Sequence, residues 1–188
     1  VCRELNNVQY HPMAFPPEIS LKIVSENLPG ALSDYFDEFQ ERPFATMFIA
    51  QIHRAHLKRE NIWVAVKVMR PDAPAMYAKD MKLFRHIVRV MSRFNIANYL
   101  RLEEAMWELD QIAKEETDYR FELTNTRLMR RKLKKHDILV PKPVRQFCNR
   151  HVLVTEYITG VLLSDYIKMS ESEVEKVKQW EVTNNVNP

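Results

Sequence analysis

Lys67 stands inside an apolar run, Val64-Ala65-Val66-Lys67-Val68. The residues around it favour a strand. An ammonium among them needs an anionic partner, because an unpaired buried charge is expensive. A carboxylate or a phosphate can supply it, and a site that uses both handles phosphate groups. A second candidate is the helix segment Glu115 to Asn125. On one continuous helix Asp118, Glu122 and Asn125 recur at i, i+4 and i+7 and share a face. Glu116 continues the apolar series through Leu109 and Ile112, which predicts that it turns toward packed surface and meets a donor there. A third segment, Ala45 to Ala55, precedes the lysine strand. Each feature also has a plainer reading. Lys67 can face water on a half-exposed strand, the acids can form a solvated stripe balanced by Arg120 and Arg127, and Gln51 and His53 can be cross-strand polar residues of a hairpin.

The elements that must position these groups follow from periodicity and turn chemistry. Residues up to Pro16 read as irregular, and Pro17 opens a helix over 17–28 that Leu28-Pro29-Gly30 stops. A short amphipathic helix from Leu32 to Phe39 comes next, with Leu32, Phe36 and Phe39 on one side and Pro43 beyond it. Residues 44–57 and Ile62–Met69 read as a hairpin joined by Lys58-Arg59-Glu60-Asn61. A helix over 73–94 carries Met81, Leu83, Phe84, Ile87, Val88 and Met91 at helical spacing. A long helical tract over 99–134, with room for a break, has an apolar stripe of Leu102, Ala105, Leu109, Ile112, Tyr119 and Leu123. Short strands are expected near 138–147, between Pro141 and Pro143, and at His151–Tyr157, and a capping box from Ser170 to Glu173 opens a last helix to Trp180. Helices, a small antiparallel sheet, more helices and more strands make an α+β chain rather than alternating βαβ units.

Composition narrows the function classes. With 46% hydrophobic and 28% charged residues, the profile is that of a soluble globular domain. Gly30 and Gly160 are the only glycines, so no Gly-rich phosphate loop can be written. Cys2 and Cys148 form neither a disulfide framework nor a zinc spacing, and read as two reduced thiols in an intracellular protein. The histidines show no metal spacing. No apolar run approaches the ~20 residues of a spanning helix, and Val1-Cys2-Arg3-Glu4 reads as a cut edge rather than a signal peptide. A net charge of +3 and the lack of interleaved aromatics argue against nucleic acid.

Taken in order, the segments resemble the UbiB/AarF (ABC1) family of atypical kinases over about residues 15–168. The family's alanine-rich loop, P-x-A-A-A-S-I-A-Q-V-H-x-A, is matched at Pro43, Ala45, Ile49, Ala50, Gln51, His53 and Ala55. V-A-V-K-V-x-R-P is matched from Val64 to Pro71, the acidic helix at Glu116, Asp118, Tyr119, Glu122 and Asn125, and V-L-V-x-E-x-x-x-G from Val152 to Gly160. The resemblance implies a protein-kinase-like N-lobe, a small antiparallel sheet with flanking helices, with the C-lobe largely absent. It divides the chain into an N-terminal helical segment (1–42), the lobe (43–160), and the start of a C-lobe with a polar tail (161–188). It implies that Lys67 pairs with Glu122 and faces the phosphates of ATP or ADP, with Ala45 and Ala50 in the phosphate loop. Glu156 would begin the hinge where adenine binds. Glu116, Asp118 and Asn125 would belong to the family's acidic motif, which contacts its N-terminal helical extension. The implied function is ATP-dependent support of quinone-lipid biosynthesis, in a mitochondrion, a plastid or at a bacterial membrane.

The chain departs from the family at Thr46-Met47-Phe48, where Phe48 stands at the usual serine. No Asp-Phe-Gly and no His-x-Asp occur, so the Mg²⁺ ligands and catalytic base of that pattern are not in these residues. The expectation is a chain without turnover of its own. The competing reading is a non-catalytic, pseudokinase-type protein that binds a protein partner or a lipid. The basic run Arg127, Arg130, Arg131, Lys132, Lys134 and Lys135 reads as a helix end complementing its dipole, or as contact with an anionic membrane surface or lipid.

Overall fold

The computed structural model describes residues 15–93, 101–161 and six positions between 166 and 179. Helix α1 (Pro17–Glu26) begins at a proline, whose fixed φ suits a first turn. A single-turn helix, α2 (Leu32–Tyr35), leads directly into strand β1 (Phe36–Phe39). The expected helix over Leu32–Phe39 is therefore half strand. The cause is a β-bulge: Phe36 opposes Leu57, but Glu38 opposes His56 and Phe39 opposes Ala55. The extra residue turns two phenylalanines three apart onto one face of the strand, which imitates helical spacing.

Strands β2 (Ala45–Thr46), β3 (Ala50–Leu57), β4 (Ile62–Met69) and β5 (Val152–Glu156) complete an antiparallel sheet in the order β1-β3-β4-β5, with β2 also on β3. The β3–β4 ladder runs unbroken from Ala50↔Met69 to Leu57↔Ile62. Asn61 closes its turn at φ 52°, a left-handed conformation that asparagine tolerates. Strand β1 precedes residue 43, yet it forms the edge of this sheet.

Pleating gives the sheet two different faces. Ala55, Leu57, Val64, Val66, Val68, Val152 and Val154 form the main core with Phe15, Val24 and Phe147, all buried. Helix α1 closes that face. Gln51, fully buried, accepts from the Ser20 hydroxyl (3.0 Å) and donates to the Phe15 carbonyl (2.7 Å), which ties α1 to β3.

Helix α3 (Ala73–Ser92) packs on α4 (Leu102–Glu116), and α5 (Tyr119–Leu133) follows after a break at Thr117-Asp118. The side of α4 that meets α3 carries Leu102 and Met106, against Val88, Phe84 and Met91. Leu109 and Ile112 of the expected stripe are exposed, as are Leu83 and Ile87 on α3. A two-helix hairpin buries one narrow strip per helix, and these residues lie beside it.

The strand expected near 138–147 is reduced to one bridge, Pro143↔Thr155, followed by a 3-10 turn at Arg145–Phe147. Two backbone bonds flank Pro143, Glu156 N to Lys142 O and Val144 N to Val154 O, each 2.8 Å. Proline donates no hydrogen bond, so the ladder cannot lengthen there. Of the last expected helix, Glu173, Glu175, Lys176, Lys178 and Gln179 are helical, while Ser170 and Trp180 lie outside the described residues. No helix among the described residues is long and apolar enough to cross a membrane.

Candidate functional site

The second face of the sheet carries Ala50, Ile52, Arg54 and His56 from β3, Trp63, Ala65, Lys67 and Met69 from β4, and Leu153 and Thr155 from β5. Helix α5 covers one end of it, where Tyr119 packs with Ala50, Met69, Ala73 and Leu153. Lys67 lies at the boundary between that covered end and the open remainder. Its Nζ donates to both carboxylate oxygens of Glu122, at 2.9 and 2.7 Å. Its ammonium also lies 4.9 Å from the centroid of the Tyr119 ring, a favourable position for a cation over a π-face. The lysine side chain is 19% exposed and the glutamate 41%, so both partners keep an edge in water.

Cross-strand rows define the space beside this pair. Lys67 sits between Ile52 and Leu153, and the next row on this face is Arg54–Ala65–Thr155. Ala65 is the smallest residue of its row. The Arg54 guanidinium lies 3.9 Å from the Trp63 ring centroid and 4.8 Å from that of Tyr157. Its Nε is buried and has no hydrogen-bond partner among the described residues.

The acidic motif is arranged differently from the single helical face expected. Asp118 is not inside a helix: it is the N-cap of α5, with extended backbone. It is buried, and its carboxylate accepts from Arg120 N (3.0 Å) and Arg120 Nε (2.9 and 3.0 Å). Glu116 is exposed rather than packed, because α4 ends there and the break resets the helical phase. It remains close enough for its charge, with burial the larger cause, to help push the Tyr77 and Tyr119 hydroxyls upward in pKa. Asn125 is exposed on α5, one turn beyond Glu122.

Glu156 is exposed at the end of β5, with its backbone N–H bonded to Lys142 O. Ala45 pairs with Ile52 in β2, and Ala50 is buried at the start of β3. Between them Met47 and Ala50 form a tight turn that lifts Phe48 into solvent, 71% exposed. Its ring borders a groove against Ala73, Met76 and Tyr77 of α3 rather than Lys67. Among the described residues no cluster of three or more His, Cys, Asp or Glu side chains could hold a metal ion. Arg54, Trp63 and Tyr157 escaped the sequence reading. Strict alternation along β3, with Gln51, His53, Ala55 and Leu57 turned inward, assigns Arg54 to the other face and was the available signal.

The hydrogen bonds to Arg120, more than any other influence, hold the Asp118 carboxyl below the usual carboxylate range. A depressed native pKa stabilises the fold above the unfolded value of about 3.9, and that contribution is lost as pH falls through the native pKa. Asp118→Ala is expected to cost about 1 kcal/mol at neutral pH through the lost cap. Chemical denaturation from pH 7 to pH 2 will show the gap between mutant and wild type constant at neutral pH and narrowing below about pH 4. A gap that widens on acidification would contradict this assignment.

A small antiparallel sheet bearing a lysine paired to a helix glutamate is the N-lobe of a protein-kinase-like fold. The ABC1 atypical kinase-like domain matches residues 7–185, and the chain belongs to that family. It is 33% identical over 146 residues to the "Probable protein kinase UbiB" of Vibrio cholerae, covering 77% of this chain and 27% of the relative. To the protein of the same name from Providencia stuartii it is 30% identical over 166 residues, covering 88% of this chain and 30% of the relative. The chain therefore spans under a third of the length of these relatives. The solved Rv3197–erythromycin complex from Mycobacterium tuberculosis superposes with a TM-score of 0.63 at 24% identity, over 86% of this chain and 40% of that one, a likeness of fold.

Proposed function

We propose that this chain forms the nucleotide-facing half of an atypical kinase or ATPase, with Lys67 directed at the phosphates of ATP or ADP. The observation that carries this reading is the Lys67–Glu122 ion pair at the edge of an open sheet face. The carboxylate holds the ammonium in one place, and the exposed edge leaves it able to take a phosphate as a second anionic partner. Ala65 and Thr155 offer the base a flat, small-residue row, and the Glu156–Tyr157 segment lies at its end. By likeness to UbiB/AarF proteins, the reading extends to ATP-dependent support of quinone-lipid biosynthesis.

Thermal unfolding of the chain with ATP or ADP, with and without Mg²⁺, tests the proposal. A ligand that binds the native state alone raises the melting temperature. No rise at millimolar nucleotide would overturn it and favour a non-catalytic, partner-binding role, for which the exposed Met47 and Phe48 are the supporting observation. Turnover is a separate matter. The 188 residues contain no Asp-Phe-Gly and no His-x-Asp, and phosphoryl transfer depends on acids of that kind to hold Mg²⁺ and position the nucleophile. The chain on its own is expected to release no phosphate above the buffer rate. Mg²⁺-dependent release that disappears in Lys67→Ala would refute this.

A further inference from the structure

We propose that a groove between the C-terminal half of α5 and the segment leading into β5 is a binding site for a phosphate-bearing polyanion. Arg127, Arg130, Arg131 and Lys134 line it from the helix, and Lys142 and Arg145 from the opposite wall, around a volume of about 480 Å³. Among the described residues only Pro143 joins them and no carboxylate lines the groove, Glu156 reaching no closer than its Oε2 contact with the Lys142 backbone N–H at 3.4 Å.

The helix dipole accounts for cations in the last turn of α5. It does not account for Lys142 and Arg145, which come from another part of the chain. Nor does the helix balance its own charge. Arg127 and Arg131 lie four residues apart, as do Arg130 and Lys134, so like charges stack on each other, which is unfavourable. From Asn125 to His136 the sequence offers no acid to relieve them. Among the described residues no ion pair involves any of the six cations.

The walls are built by the fold. The backbone bonds that flank Pro143 pin Lys142 beside β5, and Arg130 reaches across to donate to the Val140 carbonyl. Four of the six cations are arginines, whose planar forks suit the paired oxygens of a phosphate. Among the described residues no aromatic side chain lines the groove for bases to stack on, which disfavours single-stranded nucleic acid. The shared chemistry is a compact group with several phosphate charges, either a soluble polyphosphorylated small molecule or a phosphomonoester lipid headgroup.

Two probes distinguish the sources: inositol hexakisphosphate in solution, and phosphatidylcholine vesicles containing phosphatidic acid, both at physiological salt. The test variant is Arg131→Glu/Lys142→Glu. Arg59→Glu/Lys79→Glu changes net charge equally at exposed positions elsewhere. The expected result is a loss of about tenfold or more in affinity for at least one probe in the test variant, with the control within about twofold of wild type. Loss for the soluble probe alone assigns a soluble ligand, and loss for vesicles assigns a headgroup. If wild type binds neither probe, if the test variant binds both as wild type does, or if test and control lose affinity equally, the proposal is overturned. Circular dichroism checks folding, and Arg131→Gln/Lys142→Gln is judged by the same criterion should the reversal misfold.

Discussion

On the nucleotide reading proposed above, Lys67→Ala is expected to remove half or more of the thermal stabilisation by ATP or ADP. At a hundredfold excess over the dissociation constant, a ligand stabilises the native state by about 2.7 kcal/mol. For a domain of this size that is a rise of roughly 5–10 °C. A charge-assisted bond to phosphate is worth about 1.5–3 kcal/mol, so its loss weakens binding by roughly 10- to 100-fold and leaves a rise near 1–6 °C. The mutant will still fold. Glu122 loses its partner but is 41% exposed, and water replaces the ammonium at a cost of about 1 kcal/mol or less. Glu122→Gln separates binding from positioning: it keeps the cation but removes the anion that fixes it, and an intermediate rise is expected. An undiminished rise in Lys67→Ala would place nucleotide elsewhere on the molecule.

The second large effect concerns the fold. Gln51→Leu is expected to destabilise the chain by about 2–4 kcal/mol, because two buried polar groups lose their partner at once. The Phe15 carbonyl and the Ser20 hydroxyl both meet the Gln51 amide, and Ser20 and Gln51 are fully buried. Leucine fills the space but offers neither a donor nor an acceptor. Adding Ser20→Ala removes one stranded group, so the double mutant will lose less than the sum of the single mutants, with a coupling of about 1 kcal/mol. Urea denaturation with an unchanged slope measures this. A loss below about 0.5 kcal/mol for Gln51→Leu, within the range of ordinary surface substitutions, would show that the latch between α1 and β3 is not a stabilising one.

Sequence alone carried the reader to the lysine strand and its hairpin, because Val64, Val66 and Val68 alternate with Ala65 and Lys67 and a polar turn precedes them. It also supplied the pairing of Lys67 with Glu122, though only through resemblance. Spacing by itself leaves several acids in one segment equally placed. Two of the misplaced elements share one cause, a local break in periodicity. The bulge in β1 gives Phe36 and Phe39 a helical interval on a strand. The break at Thr117-Asp118 shifts the phase between two helices, so Glu116 faces water and Asp118 becomes a buried cap. Along α4 the apolar residues outnumber those one neighbouring helix can cover, and nothing in the pattern tells Met106 from Leu109. Gln51 looked like an ordinary polar strand residue, since its partners lie 31 and 36 positions away.

The anchoring of α5 at its first residue makes the helix a lever with its pivot at Tyr119. That residue is buried, and its backbone N–H is bonded to the Arg150 carbonyl at 3.1 Å, just ahead of β5. Glu122 lies about 4.5 Å along the axis from this point, while Leu133 lies about 21 Å away. A tilt that carries the far end through ~5 Å therefore moves the Glu122 backbone by only ~1 Å. The short arm holds the lysine's partner, and the long arm ends at the basic groove. By the same ratio, any displacement of the long arm about this pivot would reach the ion pair reduced about fivefold.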